Sequence, residues 1–251
     1  MMLVNRYMNE RKEKTMKRGI LAIVLSLNLI IMTGLPVLAA ENETFHNIEI
    51  CYQSPSNVHS TFSVGEPIDE AFAPRARAAT ITVNVTSPCD TEFRQRYSDW
   101  AYQANRAVER ADDGLYKLYG IDYRSVAQRT WSSSGADMAA LVENAASVCG
   151  LTYNGNLTAD LMIAFTGKTV DSDVLGIAAV SAPYALVKDG GYDQNAACTQ
   201  HESCHTYGCS HEGAQWDNDT ECVMYRYLRL GNIDKFCTDH YNVMMNNKNI
   251  Y

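Results

Sequence analysis

Residues 200–213 read QHESCHTYGCSHEG and bring three histidines, two cysteines and two glutamates into fourteen positions. His201 and His205 are four apart, so on a helix both imidazoles project from one face. Glu202 is placed beside them by the same helical rotation. This H-E-x-x-H arrangement supplies two zinc ligands and a general base. It extends to H-E-x-x-H-x-x-G-x-x-H through Gly208 and His211. A helix continuing past His205 would carry His211 away from the metal, and a glycine tolerates the positive φ that turns the chain back. Three neutral imidazoles leave a fourth zinc position for water, whose pKa falls from 15.7 to about 7 on the metal. Glu202 would take its proton and pass it to a leaving amine. Hydrolysis at such a centre would need no serine or cysteine nucleophile.

Two other chemistries fit parts of the same stretch. Cys204 and Cys209 would close a four-ligand structural zinc site, and closed sites do no catalysis. The chain would then be a zinc-stabilised extracellular binding protein, with no role for Glu202. Alternatively the cysteines belong to a disulfide-rich structural domain that holds no metal.

Thirteen residues beyond His211, Met224 sits in the short apolar patch ECVMYRY. The extended histidine motif followed by such a methionine resembles the signature of the metzincin zinc peptidases. The resemblance implies His201, His205 and His211 as zinc ligands, Glu202 as the base and Met224 as the methionine of the Met-turn. LMIAFTGKTVDSDVLGIA resembles the sheet segment of the adamalysin (reprolysin-like) family, and CVM resembles its Cys-x-Met turn. Glu212 follows the third histidine where adamalysins usually carry Asp, as in astacins. Arg226 occupies the position of the astacins' zinc-facing tyrosine, flanked by Tyr225 and Tyr227. The resemblance covers residues 79–251. It implies an α/β fold with a twisted, mainly parallel sheet, two long helices, an active-site helix and a small C-terminal subdomain. The implied activity is that of a secreted, zinc-dependent, monomeric metalloendopeptidase acting on protein or peptide substrates.

The elements that must position this site are legible upstream. TITVNVT alternates, with Ile81, Val83 and Val85 on one face of a strand. Asp90 can cap one long helix whose apolar stripe runs Phe93, Tyr97, Trp100, Ala104, Ala107, Ala111, Leu115 and Leu118 before Gly120 ends it. IDYRSVAQRTW reads as a second strand. Ser134 and Asp137 read as a capping box for a helix through Val148, with Gly150 past its end. ADLMIAFTG is a continuous apolar run suited to a central strand, and VLGIAAV a further strand just before a loop at Gly190 and Gly191. A last helix is expected around Asp234–Met245. His46, His59 and His240 read as surface residues.

The N-terminus has its own logic. Met16-Lys17-Arg18 is basic, the apolar run Ile20–Met32 is too short for a comfortable membrane span, and Ala39 and Ala40 follow Gly34 and Pro36. Residues 1–40 thus have the layout of a secretory signal peptide, with Met16 as an alternative start, and no stable membrane insertion is expected after its cleavage. Residues 41–78 are polar, contain Pro55, Pro67 and Pro74, and end near Arg75 and Arg77; they read as a propeptide or flexible extension. The catalytic domain is expected over residues 79–251. The chain has 20% charged and 46% hydrophobic residues, a globular balance, and a net charge of −8 that argues against a nucleic-acid partner.

Secretion makes the eight cysteines disulfide candidates. Propeptide removal would take Cys51 away and leave seven, so one of these is free or pairs with Cys51 beforehand. Matrixins and many adamalysins place a propeptide thiolate on the zinc, which makes Cys51 the candidate switch cysteine. EICYQSPS lacks the arginine and glycine of the matrixin switch, and the alternative is a disulfide from Cys51 to Cys204 or another cysteine of the domain.

Overall fold

The computed structural model describes residues 47–53, 80–153, 157–211 and 221–251, all within one unit spanning Thr44–Tyr251. The expected signal peptide, His46, His59, Glu212 and most of the 41–78 extension lie outside these residues. No helix among them is long and apolar enough to cross a membrane.

A six-stranded, mostly parallel sheet organises the molecule. Its strands are β1 (Ile48–Tyr52), β2 (Ile81–Cys89), β3 (Ile121–Thr130), β6 (Leu161–Thr166), β7 (Val174–Ala179) and β8 (Tyr184–Lys188), in the order β1-β7-β8-β6-β2-β3. A separate two-stranded ribbon joins β4 (Thr152–Tyr153) and β5 (Leu157–Thr158). β3, β2, β6 and β8 run parallel; β7 reverses against β8, and β1 reverses again on the outer edge of β7. The α/β expectation therefore holds, and β6 is central as its unbroken apolar run implies. Leu161, Ile163 and Phe165 face one core while Met162 and Ala164 face the other, so both faces of β6 are covered.

The helices are α1 (Thr91–Arg96), α2 (Trp100–Tyr119), α3 (Met138–Val148), α4 (Tyr192–Thr206) and α5 (Thr238–Asn247). α3 contributes Met138, Leu141, Val142 and Ala145 to one core, and α2 contributes Ala104, Ala107, Val108 and Leu115 to the other. α4 packs between α2 and strands β7 and β8.

Four local readings need correction. The helix read as continuous from Phe93 breaks at Tyr97–Asp99, so the stripe is shared by α1 and α2 and its far end, Leu118, is exposed. The N-cap of α3 is Asp137 alone, whose Oδ1 accepts from the Ala140 amide at 2.8 Å, while the Ser134 amide donates to Asn144. A strand, β8, intervenes between VLGIAAV and the Gly190–Gly191 loop. The last helix starts four residues later than expected, at Thr238, after a turn in which Asp234 takes a φ of 70°.

Asp90 shows how the sequence fixes a corner of the fold. Its carboxylate, fully buried, caps α1 through the Phe93 amide at 2.8 Å and also accepts from the Gly167 amide at 3.0 Å and from the Thr166 and Ser133 hydroxyls. One side chain thus ties the end of β2 to the end of β6.

Candidate metal centre

α4 is buried almost all round, and every residue from Asn195 to Thr206 is withdrawn from solvent. Such a helix is placed by its polar contacts as well as by packing. Gln200 donates to Ala111 O of α2 at 2.7 Å and to Asp234 Oδ1 at 2.8 Å, and accepts from the Asp234 amide at 2.7 Å. Arg110 pairs with Asp234 at 2.9 Å. Gln200, Arg110 and Asp234 therefore fix the helix that carries the histidines, and the sequence motif names none of them.

The chain leaves α4 at Tyr207 and reverses at Gly208, whose φ of +94° is the left-handed conformation expected there. α5 and the C-terminus hold this exit: Asn247 donates to Tyr207 O at 2.7 Å and the Tyr251 hydroxyl to Thr206 O at 3.1 Å. His211 is thereby returned to His201 and His205.

The three rings meet through their Nε2 atoms. His205 and His211 Nε2 lie 3.1 and 2.9 Å from His201 Nε2. Each opposite nitrogen faces an acceptor: His201 Nδ1 is 2.7 Å from Val223 O, His205 Nδ1 is 2.7 Å from Cys209 O, and His211 Nδ1 is 3.0 Å from Glu49 Oε2. Carbonyl and carboxylate oxygens demand a proton on Nδ1, so each neutral ring presents a bare lone pair on Nε2. Three lone pairs at this separation repel unless they share a cation. Burial, the largest cause, lowers the pKa of His201 to about 3 and of His211 to about 4, and drives that of His205 well down. The rings are held neutral, as ligation requires. The donor set is three imidazole nitrogens, which suits zinc.

Met224 is buried in the turn Cys222–Tyr225, and the carbonyl before it is the one that receives His201. The turn's role for the histidines thus runs through the Val223 backbone. Cys204 and Cys209 are not in the histidine group; Cys209 offers it a carbonyl instead of a thiolate. His240, read as a surface residue, is buried, with Nδ1 2.9 Å from Cys237 Sγ and 3.3 Å from Cys222 Sγ. All eight cysteines are free thiols in this structure.

Glu202 is fully buried, and neither carboxylate oxygen has a hydrogen-bond partner among the described residues. Burial pushes its pKa well up, the Cys51 thiol adds to the rise, and the nearby Cys51 amide opposes it. Cys51 groups with Cys198 and Glu202, all three offering a ligand atom within 4.8 Å of one another, and not with the three histidines.

The cover over the site is β1. Cys51 pairs with Gly176 on β7; the Tyr52 amide donates to Arg226 O at 2.8 Å, and the Leu228 amide donates to Tyr52 O at 2.9 Å. Glu49 receives the Ser210 hydroxyl at 2.9 Å. An extended segment from the 41–78 extension thus lies between the β7 edge and residues 226–228, antiparallel to the first and in a parallel bridge with Tyr227 of the second. Residues 48–52, read with the rest of 41–78 as a propeptide or flexible extension, are a strand of this sheet, with Ile48 and Ile50 packed against its core.

Comparison with known proteins agrees with this geometry. Residues 79–250 match the family model of Metallo-peptidase family M12, of the reprolysin type. No curated protein matches the sequence. Among solved structures, one chain in a structure described as a chaperone-substrate complex is similar, with a TM-score of 0.54 and 12% identity over 68% of this chain and 34% of that one. The present chain spans about a third of that chain's length, and the likeness concerns the fold alone. The match over most of the chain, together with the centre that His211 forms with His201 and His205 of α4, places the protein in metallopeptidase family M12, as a reprolysin-like metzincin.

Proposed function

We propose that the protein is a zinc-dependent endopeptidase, exported from the cell, in which His201, His205 and His211 hold the metal and Glu202 is the general base. The observation that carries this reading is the convergence of three Nε2 lone pairs, with the fully buried carboxylate of Glu202 one residue after His201 on the same helix. A site kept only for folding has no use for that carboxylate.

When bound, zinc supplies a Lewis acid and an acidified water. The protein's own groups do the rest. Glu202 accepts a proton as water attacks the scissile carbonyl and returns it to the departing amine. Val223 O and Cys209 O keep His201 and His205 in the tautomer that leaves Nε2 free. The outer edge of β7 accepts an extended chain through backbone hydrogen bonds, as β1 demonstrates, so a substrate peptide can add there as a strand.

The propeptide, the disulfides and the monomeric state belong to the same proposal. The test is hydrolysis of an unstructured protein such as casein by the processed chain, with metal analysis and a zinc chelator alongside. One zinc per chain with chelator-sensitive cleavage supports it; bound zinc with no cleavage of any peptide would favour a zinc-stabilised binding protein.

A further inference from the structure

Cys51 lies opposite Gly176 in the β1–β7 register, so its side chain projects on the same side of the sheet as the glycine's missing one. A Cβ at Gly176 would stand 2.5 Å from both Cys198 Sγ and Glu202 Oε1. The bare glycine is what lets α4 approach β7 so closely at this point. Over that gap Cys51 meets Cys198, with both side chains fully buried and their sulfurs within 4.8 Å. Cys89 has Cys149 as an electrostatic neighbour, and Cys204, Cys209, Cys222 and Cys237 cluster among themselves. Cys198, three residues before the first histidine, is the thiol of the M12 domain that groups with Cys51.

We infer that Cys51 and Cys198 form a disulfide that pins residues 48–52 across the metal centre and keeps the site closed even after the chain is cut between that segment and β2. The sulfur acts on the active-site helix, not as a ligand to the metal. Formation is a thiol–disulfide exchange with a low-molecular-weight disulfide. Each thiol gives up its hydrogen, one S–S bond forms, and two electrons and two protons pass to the oxidant, which leaves as two thiols. A dithiol reductant reverses it when the segment lifts or the chain unfolds. Exchange takes place as β1 docks, because afterwards both sulfurs are shielded.

Closure follows from what β1 covers. It takes the hydrogen-bonding edge of β7 that a substrate strand would need, and it leaves Glu202 with no accessible surface and so no attacking water. Cleavage of the connecting chain alone would leave the segment held by one covalent bond, an effective concentration far above that of any substrate. Loss of the segment then requires reduction as well as proteolysis. The consequence for activity rests on the peptidase reading; the bond itself does not.

The experiment uses the full chain, made under oxidising conditions, with a specific protease site inserted between residues 54 and 79. Alkylation followed by non-reducing peptide mapping should recover Cys51 cross-linked to Cys198. After cutting, the N-terminal fragment should stay with the domain on a denaturing gel and separate only with dithiothreitol, whereas in Cys51→Ser it should separate without reductant. Casein hydrolysis by the cut wild type, unreduced, should be at least 10-fold below that of cut Cys51→Ser with equal zinc content. Cys198→Ser repeats the comparison should Cys51→Ser fold poorly. Alkylated Cys51, Cys51 linked to another cysteine, or measurable and equal hydrolysis by cut wild type and cut Cys51→Ser would each overturn the inference. A recovered cross-link with hydrolysis in no form would uphold the tether and fail the peptidase reading.

Discussion

Glu49 Oε2 lies 3.0 Å from Nδ1 of His211, so a residue outside the M12 domain completes the outward hydrogen bond of one of the three clustered histidines. The other two rings are held by backbone carbonyls of the domain itself. His211 is therefore the ring whose orientation depends on the docked segment. Removing an outer partner of a ligating histidine typically costs 10- to 100-fold in metal affinity. Glu49→Ala in the uncut chain should weaken zinc binding by about 10-fold, measured by competition with a chromophoric chelator. Unchanged affinity would mean that Ser210, the other partner of Glu49, or solvent takes over the contact.

Gly208→Ala tests the reversal that brings His211 home. With φ at +94°, an alanine is strained by about 1–2 kcal/mol, and its Cβ would press on Asn247 Nδ2 and Ser181 Oγ at 3.1 Å. Zinc affinity should fall together with the urea midpoint. A loss of stability with full zinc affinity would show that His211 reaches the cluster without this turn.

Asp90→Ala removes a helix cap and leaves the Gly167 amide and the Thr166 hydroxyl buried without their acceptor. A cap is worth about 1 kcal/mol and each stranded donor about 1–3, so the loss should be roughly 3 kcal/mol or more by chemical denaturation. Asp90→Asn should recover part of it, because one oxygen remains to accept.

The site was legible in the sequence to the extent that its geometry is local. His201, Glu202 and His205 are fixed by helical rotation alone, and Gly208 and His211 by one turn, so spacing was enough. The unbroken apolar run at β6 likewise betrayed burial on both faces. What spacing does not carry is contact between distant segments. Gln200, Arg110 and Asp234 set the helix through contacts between segments far apart in the chain, and spacing within the histidine motif says nothing of them. β8 was missed because YALVK is short and follows β7 closely. The break at Tyr97–Asp99 is invisible to an apolar stripe, since the stripe continues on both sides of it. β1 is different: Ile48 and Ile50 alternate with Glu49 and pack against the core, but five residues do not stand out from polar, proline-bearing surroundings.

Asp112 gives the fold a pH dependence of definite sign. Its pKa is raised to about 7, chiefly by burial; the Tyr123 amide, donating at 2.6 Å, pulls the other way, and Glu109, Asp113 and Asp122 add to the rise. A carboxyl with a raised folded-state pKa contributes fully below its unfolded pKa of about 3.9, and that contribution is lost as pH climbs through the folded value. Asp112→Asn keeps an oxygen for Tyr123 and carries no charge. It should match the wild type near pH 4 and become progressively more stable than it up to about pH 7, with a constant gap above. Urea midpoints across that range check this, and a gap independent of pH would contradict it.

The central claim, hydrolysis by a base beside a triple-histidine metal centre, is tested most directly by turnover of a quenched fluorescent peptide at matched zinc occupancy. The comparison is Glu202→Gln against its parent, both carrying Cys51→Ser and cut between residues 54 and 79 so that the 48–52 segment is free to leave. Both forms should bind one zinc, because Glu202 is not one of the clustered histidines, and Glu202→Gln should be slower by about 10²–10⁴-fold. Equal turnover by the two zinc-loaded forms would contradict the assignment of Glu202 and, with it, the mechanism.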